Sequence, residues 1–207
     1  MTLRLLRRAT TGASLAIGLV CACPMAMSAT VTAGFSPDGT AQALVLTTVV
    51  QSTRQLDVAA YSFTSKPVAE AILAAKQRGV RIRVMVDDKA NREKYSAATY
   101  LANKGVEVRT NGNYAIQHNK FIVADRDTVE TGSFNYTASA DSRNAENVVV
   151  LEGIPAISSQ YEIEFSRLWA ESKPLCPTTE GSSHTLIIFS PAHPAVAHMR
   201  CFLPYGL

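Results

Sequence analysis

Two short runs, His118-Asn119-Lys120 and Gly132-Ser133-Phe134-Asn135, bring an imidazole, an ammonium, a hydroxyl and a carboxamide into one stretch of chain. Together they offer a nucleophile or proton carrier, a cation and two neutral hydrogen-bonding groups. Such a set suits a phosphate whose charge must be held while one P–O bond is exchanged. Residues two apart on a strand share a face. His118 and Lys120 would then lie with Ile116, Ile122 and Ala124, and Ser133 with Asn135 at the end of a neighbouring strand. The first run thus reads as a buried strand with titratable groups planted in it. These are costly there unless paired, and local rules tend to break at functional sites.

From His118 the spacing runs His, any residue, Lys120, four residues, Asp125, six residues, Gly132, Ser133, any residue, Asn135. This resembles the signature of the phospholipase D superfamily at every fixed position. The runs AYSFT from Ala60, AAKQRGV from Ala74, TVETGSFN from Thr128 and NAEN from Asn144 are similar to the small bacterial secreted endonuclease branch of that superfamily. The likeness covers roughly residues 34–172.

The resemblance implies an α/β, phospholipase D-like sandwich with a mixed, mostly parallel sheet flanked by helices. It also implies two motif copies per active site. This chain carries one and shows no internal repeat, so a homodimer with a composite site is expected, since a two-fold interface brings identical residues face to face. On that carry-over His118 attacks phosphorus, and the second copy's His118 protonates the leaving oxygen and then activates water. Lys120 and Asn135 hold the non-bridging oxygens, with Ser133 assisting. Glu146 bonds the histidine and fixes its tautomer. Asp125 completes the signature in a supporting place at a turn. No cofactor and no metal are implied, the cationic side chains carrying the charge that a metal carries elsewhere.

Positioning such a site requires alternating strands and helices, and the chain supplies them. Ser36-Pro37-Asp38 reads as a helix entry, followed by apolar residues at helical spacing to Val49. Leu56 to Phe63 reads as a strand. Ser65 and Pro67 open a helix that Gly79 closes. Val80 to Val86 alternates with period two. Asn91 to Lys104 reads as a third helix, and Val106 to Arg109 as a strand. The runs Ile116 to Ala124 and Thr128 to Gly132, joined by Asp125-Arg126-Asp127, form a hairpin signal. Asn147 to Leu151 is a further strand, and Pro155 opens a last amphipathic helix.

The ends differ from this middle. Arg4, Arg7 and Arg8, an apolar stretch from Ala13 to Cys23 and a run of small residues to Ala29 make residues 1–29 a secretory signal, with a lipoprotein signal as the competing reading. A periplasmic or secreted catalytic domain over 30–172 follows, then an extension over 173–207. The basic signal accounts for the net charge of +3, since the rest carries 17 basic and 17 acidic residues. Net charge therefore gives no argument for nucleic acid. Arg81, Arg83, Lys89, Arg92 and Lys94 are either a groove for a phosphate backbone or a solvated surface. Tyr61 and Phe63 read as core. Cys176 and Cys201 can pair or stay free, and His184, His193 and His198 are poorly spaced for a metal. No segment beyond the signal is long and apolar enough to span a bilayer.

The leading expectation is a sequence-nonspecific, metal-independent endonuclease acting on DNA or RNA through a phosphohistidine. The alternatives are a phospholipase D acting on phosphatidylcholine-type lipids, and a non-catalytic nucleic-acid-binding or envelope protein of the same fold.

Overall fold

The computed structural model describes residues 28–93 and 96–177. The signal reading, Lys94, the histidines of the tail and Cys201 lie outside the described residues, save for the last two positions of the signal.

Thirteen elements follow in order: β1 (Thr30–Ser36), α1 (Thr40–Gln51), β2 (Gln55–Ala60), α2 (Lys66–Gln77), β3 (Arg81–Asp87), α3 (Ala97–Asn103), β4 (Glu107–Asn111), β5 (Lys120–Ala124), β6 (Thr128–Gly132), α4 (Ala138–Ser142), β7 (Glu146–Glu152), α5 (Pro155–Ala170) and β8 (Lys173–Pro174). The strands form one eight-stranded sheet in the order β1-β7-β6-β5-β2-β3-β4-β8.

Local chemistry accounts for the helix ends. The Ser65 side chain accepts from the Val68 N–H and opens α2, with Pro67 in its first turn. Gly79, at φ 92°, closes it in a left-handed conformation that a side chain would strain. Ser96 caps α3 in the same way through the Thr99 N–H. The helix expected from Asn91 therefore begins only at Ala97. Asn91 is drawn off it: its side chain accepts from Phe63 N and donates to the carbonyls of Tyr61 and Asp87.

The sheet is mixed, as expected, but its parallel share is smaller. Only β2–β3 and β3–β4 pair parallel, and the other five pairs are antiparallel. The helical crossovers α2 and α3 make the two parallel pairs. The short turn between β5 and β6 permits only antiparallel pairing, and β5 joins the free side of β2 in that sense. β1, a strand not expected from the sequence, adds an antiparallel edge against β7.

Helices cover both faces. Val45 and Val49 of α1, Val68, Ile72 and Ala75 of α2, and Leu101 of α3 pack with Leu56, Val58, Val84 and Ile122 in the larger core. On the other face Phe165, Leu168 and Trp169 of α5 meet Ala59, Met85, Phe121 and Val123. Beneath α5, Asp57 is fully buried and takes both oxygens' bonds from Arg83, at 2.8 and 2.6 Å. That guanidinium also lies 4.8 Å from the Phe165 ring centre. After α5 the chain returns along β4 as β8, Leu175 N–H bonds Val108 O, and the sheet edge is covered. Cys176 is disulfide-bonded.

One acid is sealed in the larger core. Glu130 on β6 is fully buried and accepts from the Tyr136 hydroxyl at 2.7 Å, while its other oxygen has no partner. Burial pushes its carboxyl up to about 8, against the opposing effect of the tyrosine bond. The folded state thus holds a proton between about pH 4.5 and 8 that the unfolded chain has released. Stability should fall as pH rises through that window, by at most about 5 kcal/mol, and level off above it. Chemical unfolding of Glu130→Gln from pH 5 to 9 should lack this slope.

Candidate active site

The site lies where β2 and β3 end, β5 begins, β6 ends and β7 begins. Lys120 pairs with Ala60, Gly132 with Val148, and Glu146 with Ser36. His118 is not on a strand: β5 starts at Lys120, and the segment before it carries no ladder. Ile116 and His118 are exposed, so the buried strand expected from Ile116 begins four residues later, at Lys120. Exposure is what a nucleophile needs, and Ile116 at 47% exposed leaves an apolar side chain beside it. Gln117, between them, is buried.

Lys120 is only 7% exposed. Its ammonium donates to the His118 carbonyl at 2.8 Å and sits 5.2 Å from the centre of the Tyr61 ring. No carboxylate among the described residues is within ion-pair distance of it. Burial lowers its pKa below the ordinary lysine value, and the nearby charge of Glu146 partly restores it. The Tyr61 ring also meets the His118 imidazole edge-on, with centres 4.6 Å apart. Tyr61 was read as core from sequence. It is half-buried and forms the wall shared by both motif residues. A strand-like run gives no sign of that role.

Gly132 belongs in the signature for a steric reason. A Cβ there would stand 2.1 Å from the Asn147 carbonyl oxygen of β7, so only glycine lets the strands close here. Beyond it Phe134 and Tyr136 are fully buried, and Tyr136 O accepts from Thr64 and Ser65 N–H. With these two anchored, Ser133 is left exposed and Asn135 half-buried. Asn135 Oδ1 is buried without a partner. Ser133 Oγ donates to Glu146 at 2.6 Å and accepts from the Asn147 N–H. The other Glu146 oxygen accepts from Asn144 at 2.9 Å. Within one chain, then, Glu146 holds Ser133 and Asn144, and the expected bond to a histidine is not made.

Asp125 lies elsewhere. It is five residues along from Lys120, about 17 Å at strand rise, in a turn where Asp125 and Arg126 have φ of 55° and 65°. Its carboxylate accepts from the N–H groups of Thr53, Arg54 and Gln55 and from the Thr53 hydroxyl. Burial would raise its pKa, but these bonds hold it below the usual range. Its place is to staple the hairpin to the start of β2, away from the chemistry. Three of the basic residues considered for a groove are also engaged. Arg83 is under α5, Arg81 bonds Gln55 and Arg92 bonds Asp88.

An α/β sandwich with an exposed imidazole above a nearly buried ammonium at one sheet end defines a phosphate-handling class of fold and site. Residues 45–169 match the family described as cardiolipin synthase, PLD-like domain, and the chain belongs to that family. Among solved structures it is similar to Nuc from Salmonella typhimurium, a phospholipase D family member. Sequence identity is 36%, 72% of this chain and 99% of that one are covered, and the TM-score is 0.70. Among curated proteins it is 32% identical to a phospholipase D of Rickettsia prowazekii, over 64% of this chain and 65% of that one. It is 34% identical to a mitochondrial cardiolipin hydrolase of Xenopus tropicalis, over 63% and 61%. The chain thus spans just under two thirds of the length of these curated relatives.

Asp125→Ala should leave three N–H groups unserved and lower unfolding stability by about 2 kcal/mol. Turnover measured well below the melting temperature should stay within the range of the unmodified chain. A loss of turnover without a loss of stability would place Asp125 in the chemistry after all.

Proposed function

We propose that the chain is a phosphodiesterase acting through a phosphohistidine, with nucleic acid as its substrate class. One observation carries this: an exposed His118 beside a Lys120 ammonium that is nearly buried and, among the described residues, has no carboxylate partner. A buried cation of that kind is costly until an anion meets it, and a phosphodiester is such an anion. A lone pair of the His118 imidazole attacks phosphorus, and the bond to the leaving oxygen breaks. That oxygen takes a proton from a second imidazole. Water then attacks phosphorus, gives its proton to the second imidazole, and the P–N bond breaks. Lys120 and Asn135 hold the non-bridging oxygens throughout, with Ser133 assisting, and this charge work calls for no metal.

The second imidazole is the second copy's His118. Support for a homodimer comes from the sheet. Val31, Ala33 and Phe35 of β1 share a face with Val149 and Leu151 of β7, and Asn147 lies opposite Phe35. That face is the α5 face, but α5 packs over β6, β5, β2 and β4. Among the described residues it leaves Val31 63% and Phe35 55% exposed. This apolar strip runs up to Glu146 and Asn147, at the site itself. A copy seated there would carry its motif to the same place. Phe35→Glu is expected to shift sedimentation from dimer to monomer and to lower turnover in step. A monomeric unmodified chain with full activity would refute the composite site.

Nucleic acid is the favoured substrate because the runs AYSFT, AAKQRGV, TVETGSFN and NAEN resemble the small endonuclease branch, and the chain covers 99% of Nuc at 36% identity. Lipid is the second reading, favoured by the phospholipase D and cardiolipin hydrolase relatives and by exposed Ile116 beside His118. Export is part of the proposal, supported by the basic and apolar start of the chain and by the disulfide-bonded Cys176, which suits an oxidising compartment. Purified protein should nick and degrade plasmid in EDTA, and His118→Ala should lose at least about 10³-fold in rate. Intact plasmid with release of headgroup from phospholipid vesicles would move the substrate to lipid. Neither activity, or an active His118→Ala, would sink the proposal.

A further inference from the structure

The backbone around His118 is held without any strand pairing, and the residue that holds it is Gln117. Gln117 is 2% exposed. Its own N–H donates to Asp87 Oδ2 at 2.7 Å, its Oε1 accepts from the Asn119 N–H at 2.7 Å, and its Nε2 lies 3.4 Å from Ala60 O and 3.2 Å from Met85 Sδ. The third tie is the Lys120 ammonium on the His118 carbonyl. The peptide group after the histidine is therefore held through both its N–H and its carbonyl, and the one before Gln117 through its N–H. Asp87 is itself 2% exposed and uses its other oxygen on the Ala90 N–H. The bracket thus roots in the ends of β2 and β3, at Ala60 and Asp87.

A buried carboxamide is unfavourable unless its bonds are made. An apolar residue at this place would pack against Met85 at no such cost. What the carboxamide adds is geometry: it replaces the ladder that the segment lacks and turns the His118 side chain outward. We propose that Gln117, through Asp87 and Asn119, is a positioning residue for His118, setting the direction of the imidazole toward phosphorus. This rests on the reading of His118 as the nucleophile.

The test uses the full chain and bis(p-nitrophenyl) phosphate, a diester that a nuclease and a lipase of this chemistry would both cleave. Gln117→Met keeps volume and removes both polar ends. Expected are a fall in kcat of about tenfold to a hundredfold, an unchanged KM, and faster hydrogen exchange at the Asn119 amide. Gln117→Glu, which keeps an acceptor for that amide, should recover part of the kcat and part of the protection. An unchanged kcat in Gln117→Met overturns the proposal, as does a fallen kcat with the Asn119 amide still protected. Should Gln117→Met fail to fold, Asp87→Asn takes its place. It weakens the bond to Gln117 N–H and should lower kcat at constant KM, and an unchanged kcat counts against the bracket. His118→Ala run alongside separates the two levels. If it stays active, the nucleophile reading itself falls. If it is dead while Gln117→Met is fully active, only the positioning role falls.

Discussion

The interaction on which the site depends is the placement of one ammonium. Lys120 places its ammonium at the first residue of a central strand, nearly buried and, among the described residues, with no carboxylate at ion-pair distance. The effective cost of taking such an ion out of water is several kcal/mol. Three features offset part of it: the His118 carbonyl, the face of Tyr61 and the more distant charge of Glu146. None neutralises the charge. The pocket is left electrostatically unfinished, and in the proposed function an anionic ester completes it.

The surrounding elements can be understood as the means of keeping that arrangement. β2 is buried along its whole length and supplies the partner that ends at Ala60, opposite Lys120. Asn91 pulls the chain after β2 into place and with it Tyr61. Gly132 lets β7 close on β6, which delivers Glu146 and Asn147 to Ser133. Phe134 and Tyr136 sink into the core and leave Ser133 and Asn135 at the surface. Asp125, though part of the same signature, acts at the opposite end of β5. It keeps the hairpin in register with the start of β2.

Much of this was legible in the sequence, and what was not has physical causes. The signature residues, the serine cap of α2 and the glycine that ends α2 are local, and local chemistry announces them. The start of β5 is not local. Ile116, His118, Lys120 and Ile122 alternate as a strand would, but a strand needs a neighbour, and β2 stops at Ala60. Asn91 looked like the first residue of a helix because its bonds to Tyr61, Phe63 and Asp87 are tertiary. β1 shows the alternation Val31, Ala33, Phe35, yet it lies at an edge with most side chains exposed, so burial left no mark on its composition. Arg83 resembled a surface cation because its partner Asp57 lies a crossover away. Gln117 carried no signal beyond being a neutral polar residue next to the motif histidine.

The proposed reaction turns on a bond between the His118 imidazole and phosphorus. Enzyme mixed in excess with a radiolabelled diester, quenched within milliseconds in alkaline denaturant and digested, gives the direct measurement. The account predicts label on the peptide containing His118, rising and falling ahead of product. Product appearing with no protein-bound label, or with label on another residue, would contradict it.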